Sequence, residues 1–372
     1  LCPGVIDLAA DFREPGLEHK ATIASESTAA ATAGVTAAVL TPQTVPVVDT
    51  AAVVELINRR AALAGGIRIY PLGALTAGLA GMRLSEIAAL RQAGCIGLSN
   101  GRRPLSNLEV MRRAFEYAAG FALPVFIEAE EPSLKNNGVM HEGRISTRLG
   151  LPGIPATAET VAVSQCLMLI EQTGVRAHFS RLSCGKSVEL IRAARGDGLP
   201  VTADVSINNL CLTEIDVDGF NADCHLNPPL RTDSDRDALL TGVRDGTIAA
   251  ICSDHQPHDE DAKAAPFSET EPGAAGIELL APLVFNLFER EQLSRAQAVA
   301  ALSAGPAQVL GVEHGVIAPG RLADLFIFND TAWTVNRADL SGMGKNTPYH
   351  GWEMPGRASH TIINGKLIHA PA

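Results

Sequence analysis

The sequence has little of what marks a disulfide-bonded, nucleic-acid-binding or membrane-spanning protein. Its seven cysteines are odd in number and form no C-x-x-C pair, which disfavours a disulfide framework or a cysteine zinc site and indicates a reducing cytoplasm. Basic residues are outnumbered by acidic ones, 30 to 41, which disfavours nucleic acid or an anionic membrane as a partner. No apolar run is long enough to cross a bilayer, so we expect a cytoplasmic protein.

A glycine-rich phosphate-binding loop is also missing after the first apolar run, which disfavours a dinucleotide-binding fold. Apolar, β-branched runs predict eight strands, at 5–12, 35–40, 67–72, 95–98, 125–127, 177–182, 201–205 and 248–252. Helical periodicity appears between them, at 51–64, 84–92, 107–119, 157–172, 187–194 and 233–244. This alternation predicts an α/β fold, a parallel sheet closed into a (β/α)8 TIM barrel, with an open doubly wound sheet as the alternative.

The alternation of strands and helices ends after residue 303, where we expect a last short helix at 304–312. Asn364-Gly365 separates two apolar runs and predicts a hairpin. We therefore predict a barrel over 4–312 and a small β-sandwich-like subdomain over 313–372, completed by 1–3 and by a preceding N-terminal segment that is missing here. The segment 256–276 follows the eighth strand and is a candidate flap over the barrel mouth.

Seven short motifs are spread along the chain, from the first strand to the C-terminal hairpin. They are Pro3-Gly4-Val5-Ile6-Asp7-Leu8, Phe12-Arg13-Glu14-Pro15-Gly16, Gly73-Ala74-Leu75-Thr76, Asn227-Pro228-Pro229-Leu230-Arg231, Ser253-Asp254-His255-Gln256-Pro257-His258, Asn346-Thr347-Pro348-Tyr349 and Asn364-Gly365-Lys366. Each motif alone is weak. Together they resemble the dihydroorotases of the cyclic amidohydrolase superfamily over nearly the whole chain, particularly the class that forms complexes with aspartate transcarbamoylase.

The resemblance implies a zinc-dependent hydrolase of cyclic amides, but this chain departs from the family at the positions expected to hold the metal. The residues found there are Ala9 and Asp11 in place of His-x-His, Asn100 near the expected bridging residue, Glu128 and Arg181 in place of two histidines, and Asp254, which is retained. On the substrate side, Arg13 and His258 persist as carboxylate contacts, whereas Gln43 replaces an asparagine.

These departures bear directly on the chemistry. Zinc activates water by lowering its pKa from about 15.7 to about 7, and it needs imidazole or carboxylate ligands to do so. Every expected imidazole is absent, and the guanidinium of Arg181 cannot ligate a metal. We therefore expect no metal and no intact catalytic group, with Asp254 as a vestige. Instead, Asp11, Glu128 and Asp254 should converge, at least one of them should take up a proton, and Arg181 should pair with two of them in a salt-bridged plug.

Simpler interpretations stand beside this one. His255 and His258 are expected to be structural or anion contacts rather than ligands, and His178 a packing residue. We expect Arg102-Arg103 to lie on a solvated loop, where the pair could also bind an anion. A magnesium or manganese site built from carboxylates alone is the remaining metal alternative.

The favoured functional hypothesis is a non-catalytic pseudoenzyme. By resemblance to the pseudo-dihydroorotases, its partner would be the catalytic subunit of aspartate transcarbamoylase, its pathway pyrimidine biosynthesis and its state a homo-oligomer. One alternative is an active dihydroorotase with an altered metal site, in which Asp254 acts as general base. Another alternative is a ligand-binding regulator in which the guanidinium of Arg13 binds the carboxylate of the ligand.

Overall fold

The computed structural model describes residues 1–371. The strands in this part of the chain are β1 Cys2–Pro3, β2 Val5–Ala10, β3 Val35–Leu40, β4 Arg68–Ala74, β5 Gly97–Ser99, β6 Val125–Ile127, β7 Met140–His141, β8 Gly153–Ile154, β9 Ala177–Phe179, β10 Val201–Ser206, β11 Ala250–Cys252, β12 Leu325–Asn329, β13 Trp333–Thr334, β14 Glu353–Met354, β15 Arg357–Ile363 and β16 Lys366–His369. The α-helices are α1 Ile23–Thr32, α2 Ala51–Ala64, α3 Ile87–Ala93, α4 Leu108–Gly120, α5 Pro132–Lys135, α6 Arg144–Leu149, α7 Thr157–Thr173, α8 Gly185–Gly196, α9 Ile207–Cys211, α10 Asp233–Arg244, α11 Leu280–Glu289, α12 Arg295–Leu302 and α13 Ala304–Leu310.

The eight predicted strands form one parallel sheet in the order β11-β10-β9-β6-β5-β4-β3-β2. The first and last strands approach each other where Asp11 N donates to His255 O at 2.8 Å and His255 N donates to Ala9 O at 3.2 Å. The predicted (β/α)8 barrel is therefore confirmed, and the open doubly wound sheet is wrong. Each of the six predicted inter-strand helices is present, and α2 has the predicted bounds.

Continuous burial explains why these short segments are strands. Every residue of β2 and β3 is buried, as expected for parallel strands covered on both faces. Inside the barrel, side chains of the strands pack in an apolar cluster that α13 closes with Val309 and Leu310. This apolar cluster fills the end of the barrel that lies away from the C-termini of the strands. The polar groups therefore collect at the opposite end, where the strands terminate.

A second sheet, of order β1-β12-β15-β16, lies beside the barrel. The hairpin predicted at Asn364-Gly365 connects β15 and β16, and both residues have positive φ angles, 52° and 73°. Asparagine and glycine tolerate this backbone, which suits the twist of a tight hairpin. The division into domains at residue 312 stays a prediction.

The segment that follows β11 carries only short 3-10 turns up to residue 276, so it is loop-like as predicted, and its role as a flap stays a prediction. The side chain of Asn346 holds it in place, because its Nδ2 donates to Gln256 O at 3.0 Å and to Gly273 O at 3.1 Å. Within residues 1–371, no helix is long and apolar enough to cross a membrane.

Candidate functional site

Six charged side chains meet at the carboxyl ends of the barrel strands, where the loops leave the sheet. Three are carboxylates and three are guanidinium groups, so the formal charges of this mouth cluster balance. Its members are Asp11 and Arg13 after β2, Arg102 after β5, Glu128 after β6, Arg181 after β9 and Asp254 after β11.

Arg181 lies at the centre of the mouth cluster and is only 2% exposed. Its Nη2 forms an ion pair with Glu128 Oε1, and its Nε lies 3.4 Å from Asp254 Oδ1. Burial disfavours the charged guanidinium, but Glu128 and Asp254 outweigh burial and raise the pKa of Arg181 above its ordinary value. The side chain therefore stays charged, and it pairs with two carboxylates as the sequence predicted.

Arg102 is the second cation of the cluster, and its interpretation as part of a solvated loop is wrong. Its Nη2 lies 2.6 Å from Asp254 Oδ1, and its Nη1 donates to the carbonyl of Asn227. The loop turns inward because Gly101 has a φ of 58° and Gln43 Oε1 accepts from Arg102 N at 2.9 Å. A Cβ on Gly101 would lie 2.6 Å from Gln43 Cγ, so only glycine fits. The adjacent Arg103 is exposed, as expected.

Asp11 and Arg13 form the third pair, and Asp11 does not contact Arg181 directly as an ion pair. Thr41 Oγ1 donates to Asp11 Oδ1, and Arg13 Nη1 lies 3.8 Å from Asp11 Oδ2. Burial raises the pKa of Asp11, but the nearby guanidinium groups of Arg13 and Arg102 prevail and hold it below its ordinary value. Asp11 is thus a carboxylate at neutral pH.

The guanidinium of Arg13 is not free to bind the carboxylate of a ligand, because its nitrogens already have partners within the chain. Its Nε donates to Pro257 O at 3.0 Å, and its Nη2 lies 3.1 Å from His258 Nε2. On its other side, His258 Nδ1 lies 3.2 Å from Lys20 Nζ. Burial, with the charges of Arg13 and Lys20, lowers the pKa of His258 to about 3. The imidazole is therefore neutral and held between two cations of the chain itself.

The side chains at the remaining predicted positions do not contact the charged groups of the mouth cluster. Ala9 is buried among apolar residues of the barrel interior. Asn100 turns away, because its Oδ1 accepts from Thr76 Oγ1 at 2.7 Å and its Nδ2 donates to Arg103 O at 2.5 Å. Gln43, expected to contact an anion, instead uses its Oε1 to hold the backbone of Arg102.

Two histidines near the strand ends have structural partners. His255 Nε2 lies 2.9 Å from Glu26 Oε2, and its Nδ1 accepts from Gly276 N at 3.2 Å. His178 lies between Thr202 Oγ1 and Asp204 Oδ2, each at 2.8 Å. His178 is thus buried as predicted, but it is held by polar contacts as well as packing.

The backbone is strained at three members of the mouth cluster. Arg13, Arg181 and Asp254 have φ angles of 61°, 56° and 51°, in the left-handed region that residues with a Cβ seldom adopt. Such a conformation costs about 1–3 kcal/mol per residue and persists only where surrounding contacts impose it. Ion pairing of all three side chains supplies such contacts.

Sequence reasoning missed several side chains that complete the cluster. Thr41, Lys20 and Gln256 contact Asp11, His258 and Asp254, respectively. Lys20 and Thr41 lie outside the motifs, and only their position just beyond the first and second strands hints at the mouth. Gln256 lies inside the Ser253–His258 motif, so its position was visible.

The residues at the mouth do not fit a catalytic zinc ion. No group of three or more His, Cys, Asp or Glu side chains among residues 1–371 is arranged to hold a metal. The guanidinium of Arg181 lies between Glu128 and Asp254, and it offers only donors. Carboxylates paired with an internal cation are poor ligands for a second cation, so the carboxylate-only metal alternative is disfavoured too.

A (β/α)8 barrel with polar side chains converging at its mouth and an accompanying β-sheet defines an amidohydrolase-type protein. The L-hydantoinase (dihydropyrimidinase) of Arthrobacter aurescens has the same fold, with a TM-score of 0.88 at 21% identity, over 99% of this chain and 85% of that one. A family model described as Dihydro-orotase-like matches residues 1–187, and one described as Amidohydrolase family matches 286–369. The chain belongs to the dihydroorotase-like family of amidohydrolases.

Curated relatives support this assignment. A "Dihydroorotase-like protein" of Pseudomonas aeruginosa is 46% identical over 99% of this chain and 87% of its own length. A "Dihydroorotase" of Anaeromyxobacter dehalogenans is 42% identical, over 99% of this chain and 86% of its own length. The chain is therefore similar both to a relative named dihydroorotase-like protein and to a relative named dihydroorotase.

Proposed function

We propose that this chain is a non-catalytic dihydroorotase-like subunit that supports the assembly of aspartate transcarbamoylase in pyrimidine biosynthesis. One observation carries the non-catalytic part. The guanidinium of Arg181, paired with Glu128 and Asp254, takes the position where the family's chemistry needs a metal ion.

Ring-amide hydrolysis at neutral pH requires an activated water molecule. In a metal-dependent site the ion supplies this activation, and a guanidinium that keeps its proton cannot replace it. Asp254 is also a poor general base here, because its Oδ1 lies 2.6 Å from Arg102 Nη2 and accepts from Gln256 Nε2 at 3.2 Å. Proton abstraction would have to break these contacts first.

The scaffold part rests on the resemblance to pseudo-dihydroorotases and on the integrity of the fold. The barrel is complete although the expected metal ligands have been replaced, and the mouth cluster balances its own charges. A chain that keeps the architecture without the ligands is suited to a structural role. A homo-oligomer that binds the catalytic subunit of the transcarbamoylase is the form we propose.

Two measurements on the purified protein test the proposal. Mixed with the aspartate transcarbamoylase catalytic subunit of the same organism, it should elute as a larger complex by size-exclusion chromatography with light scattering. A dihydroorotate hydrolysis assay should show no turnover, with the Anaeromyxobacter dehalogenans dihydroorotase as positive control. Separate elution contradicts the scaffold role, and turnover with bound zinc supports the active-enzyme alternative.

A further inference from the structure

The outward side of α7 lacks the charges expected of a helix that faces water. Its only exposed charged side chain is Glu171, near its C-terminal end, because its other acidic residue, Glu159, is buried. The middle of this side carries Val161 and Met168, which are 36% and 72% exposed. An outer helix of a barrel normally presents polar and charged side chains to solvent, so this pattern indicates a surface that is covered by another protein surface.

The two helices that flank α7 have the charged outer surfaces that α7 lacks. On α4, the exposed side chains of Glu109 and Arg113 form an ion pair at 3.0 Å. On α8, the exposed side chains of Lys186 and Glu189 form an ion pair at 2.8 Å. The uncharged surface is therefore particular to α7 among these three neighbouring helices.

The outward side of α7 is symmetric about the midpoint between Ser164 and Gln165. In both directions from that midpoint it presents a polar residue, then an apolar residue, then a polar residue, at equal spacings. We call this set the α7 face, and its members are Thr157, Val161, Ser164, Gln165, Met168 and Gln172. Residues at these spacings share one side of an α-helix.

This symmetry makes the α7 face complementary to itself. When two copies of α7 lie antiparallel across a two-fold axis through the midpoint, Val161 of each copy faces Met168 of the other. Thr157 of each copy likewise faces Gln172 of the other, and Ser164 faces Gln165. Apolar residues therefore meet apolar residues, and polar residues meet polar residues.

Charge also favours an antiparallel pair. Glu171 lies in the last turn of α7, and in this arrangement it approaches the first turn of the other copy's helix, where backbone N–H groups carry positive partial charge. That turn has no side-chain cap, because its N-cap residue is Ala156. A parallel pair would instead bring the two Glu171 carboxylates together, which is repulsive.

Apolar side chains on the helices next to α7 can extend the contact. A stable interface buries about 800 Å² on each partner, more than one helix supplies. Tyr117 of α4 and Leu134 of α5 are exposed. Both helices pack on α7, since their neighbouring segments meet it where Met111 Sδ lies 3.7 Å from Cys166 Sγ and Glu131 N donates to Ala158 O at 2.7 Å.

We propose that two copies of this chain associate through the α7 face, as an antiparallel helix pair whose two-fold axis passes between Ser164 and Gln165. The inference rests on the homo-oligomer named in the proposed function and assigns its surface. The occupant is a second copy because the order of apolar and polar residues and the charge at the helix ends are complementary to themselves.

The mass of the purified chain without any partner tests the pairing. Sedimentation velocity should give the mass of two copies. Met168→Glu places a carboxylate against Val161 of the other copy and should weaken the dimer at least about tenfold. Met82→Glu, at an exposed methionine in the loop that follows β4, is the matched control and should remain a dimer. Circular dichroism of both variants checks that they fold.

Cross-linking tests the antiparallel orientation. Ser164→Cys lies at the axis, so mild oxidation should link the two copies through a disulfide. The two positions of Gln172→Cys lie about 22 Å apart along the antiparallel pair and should not link, whereas a parallel pair would bring them together. The unmodified chain, which has seven cysteines of its own, gives the background.

The outcomes separate this inference from the scaffold role. A monomeric chain, a dimer that Met168→Glu does not weaken, or a specific cross-link in Gln172→Cys overturns the inference. Loss of transcarbamoylase binding in Met168→Glu with the dimer intact assigns the α7 face to that partner and overturns it too. A dimer that Met168→Glu dissociates, in a chain that does not bind the transcarbamoylase, supports the inference and contradicts only the scaffold role.

Discussion

At the scale of single residues, the buried cation Arg181 explains most about the mouth. It joins two carboxylates that would otherwise repel each other, and it does so while 2% exposed. The partners of Arg181 were predictable, because side chains at parallel strand ends share one edge of the barrel. Arg102 was not predictable, since its contact with Asp254 spans 152 positions and depends on how one loop turns.

Removing Arg181 should destabilise the fold. Arg181→Ala leaves Glu128 without its close partner and Asp254 with Arg102 alone, which should lower the free energy of unfolding by about 3–5 kcal/mol. Arg103→Ala, on the exposed neighbour of Arg102, should change it by less than about 0.5 kcal/mol. Equal midpoints of the two variants in chemical denaturation would refute the importance of the pair.

Protonation of His258 should make the free energy of unfolding depend on pH in the acid range. Its pKa is about 3 in the folded protein, below the usual 6.5, so the unfolded chain takes up the proton first as the pH falls. The stabilisation is complete above pH 6.5 and is lost between pH 6.5 and 3. His258→Asn should therefore flatten the acid side of the stability profile by up to about 1.4 kcal/mol per pH unit. Parallel profiles of the two proteins, measured by denaturation from pH 7 to 4.5, would contradict this.

At the scale of elements, periodicity identified the barrel strands and the helices between them, but not every helix. α1 was missed because Ile23–Thr32 is rich in alanine, serine and threonine and has no clear apolar stripe. Its start was nevertheless signalled by Thr22, whose side chain accepts from Ser25 N at 3.0 Å. α11 was missed for the opposite reason, since it is apolar nearly all round and seven of its ten residues are buried.

The start of α8 depends on a residue from another helix. Glu159 of α7 is 4% exposed and accepts from the backbone amides of Ser183 and Cys184, just before α8 begins. Glu159→Ala leaves these buried donors unpaired and should cost about 1–3 kcal/mol of unfolding free energy. Glu171→Ala, on the exposed face of the same helix, is the control and should be nearly neutral. Thermal unfolding of both variants measures the difference, and equal stability would show that α8 begins without this cap.

At the scale of the whole molecule, the chain combines a complete amidohydrolase-type barrel with a mouth in which guanidinium groups pair with the carboxylates. The four replaced or retained positions that meet there, Asp11, Glu128, Arg181 and Asp254, were all predicted from sequence. What could not be predicted were the loop-borne partners Arg102 and Lys20, because tertiary approach rather than local pattern brings them in.

Because its own arginines balance the mouth carboxylates, the fold should not depend on a bound metal. Prolonged dialysis against a zinc chelator should leave the melting temperature unchanged, whereas any zinc enzyme used as a control should lose stability or activity. A fall in the melting temperature that added zinc reverses would contradict the internal charge balance.

Zinc content tests the central claim most directly. The protein would be produced in zinc-supplemented medium, dialysed against dilute zinc, passed through a desalting column and analysed by inductively coupled plasma mass spectrometry. We predict well below one zinc ion per chain, because the guanidinium of Arg181 lies between the carboxylates that would have to bind it. One or two tightly held zinc ions per chain, lost in an Asp254→Ala variant, would contradict the claim that an internal cation has replaced the metal.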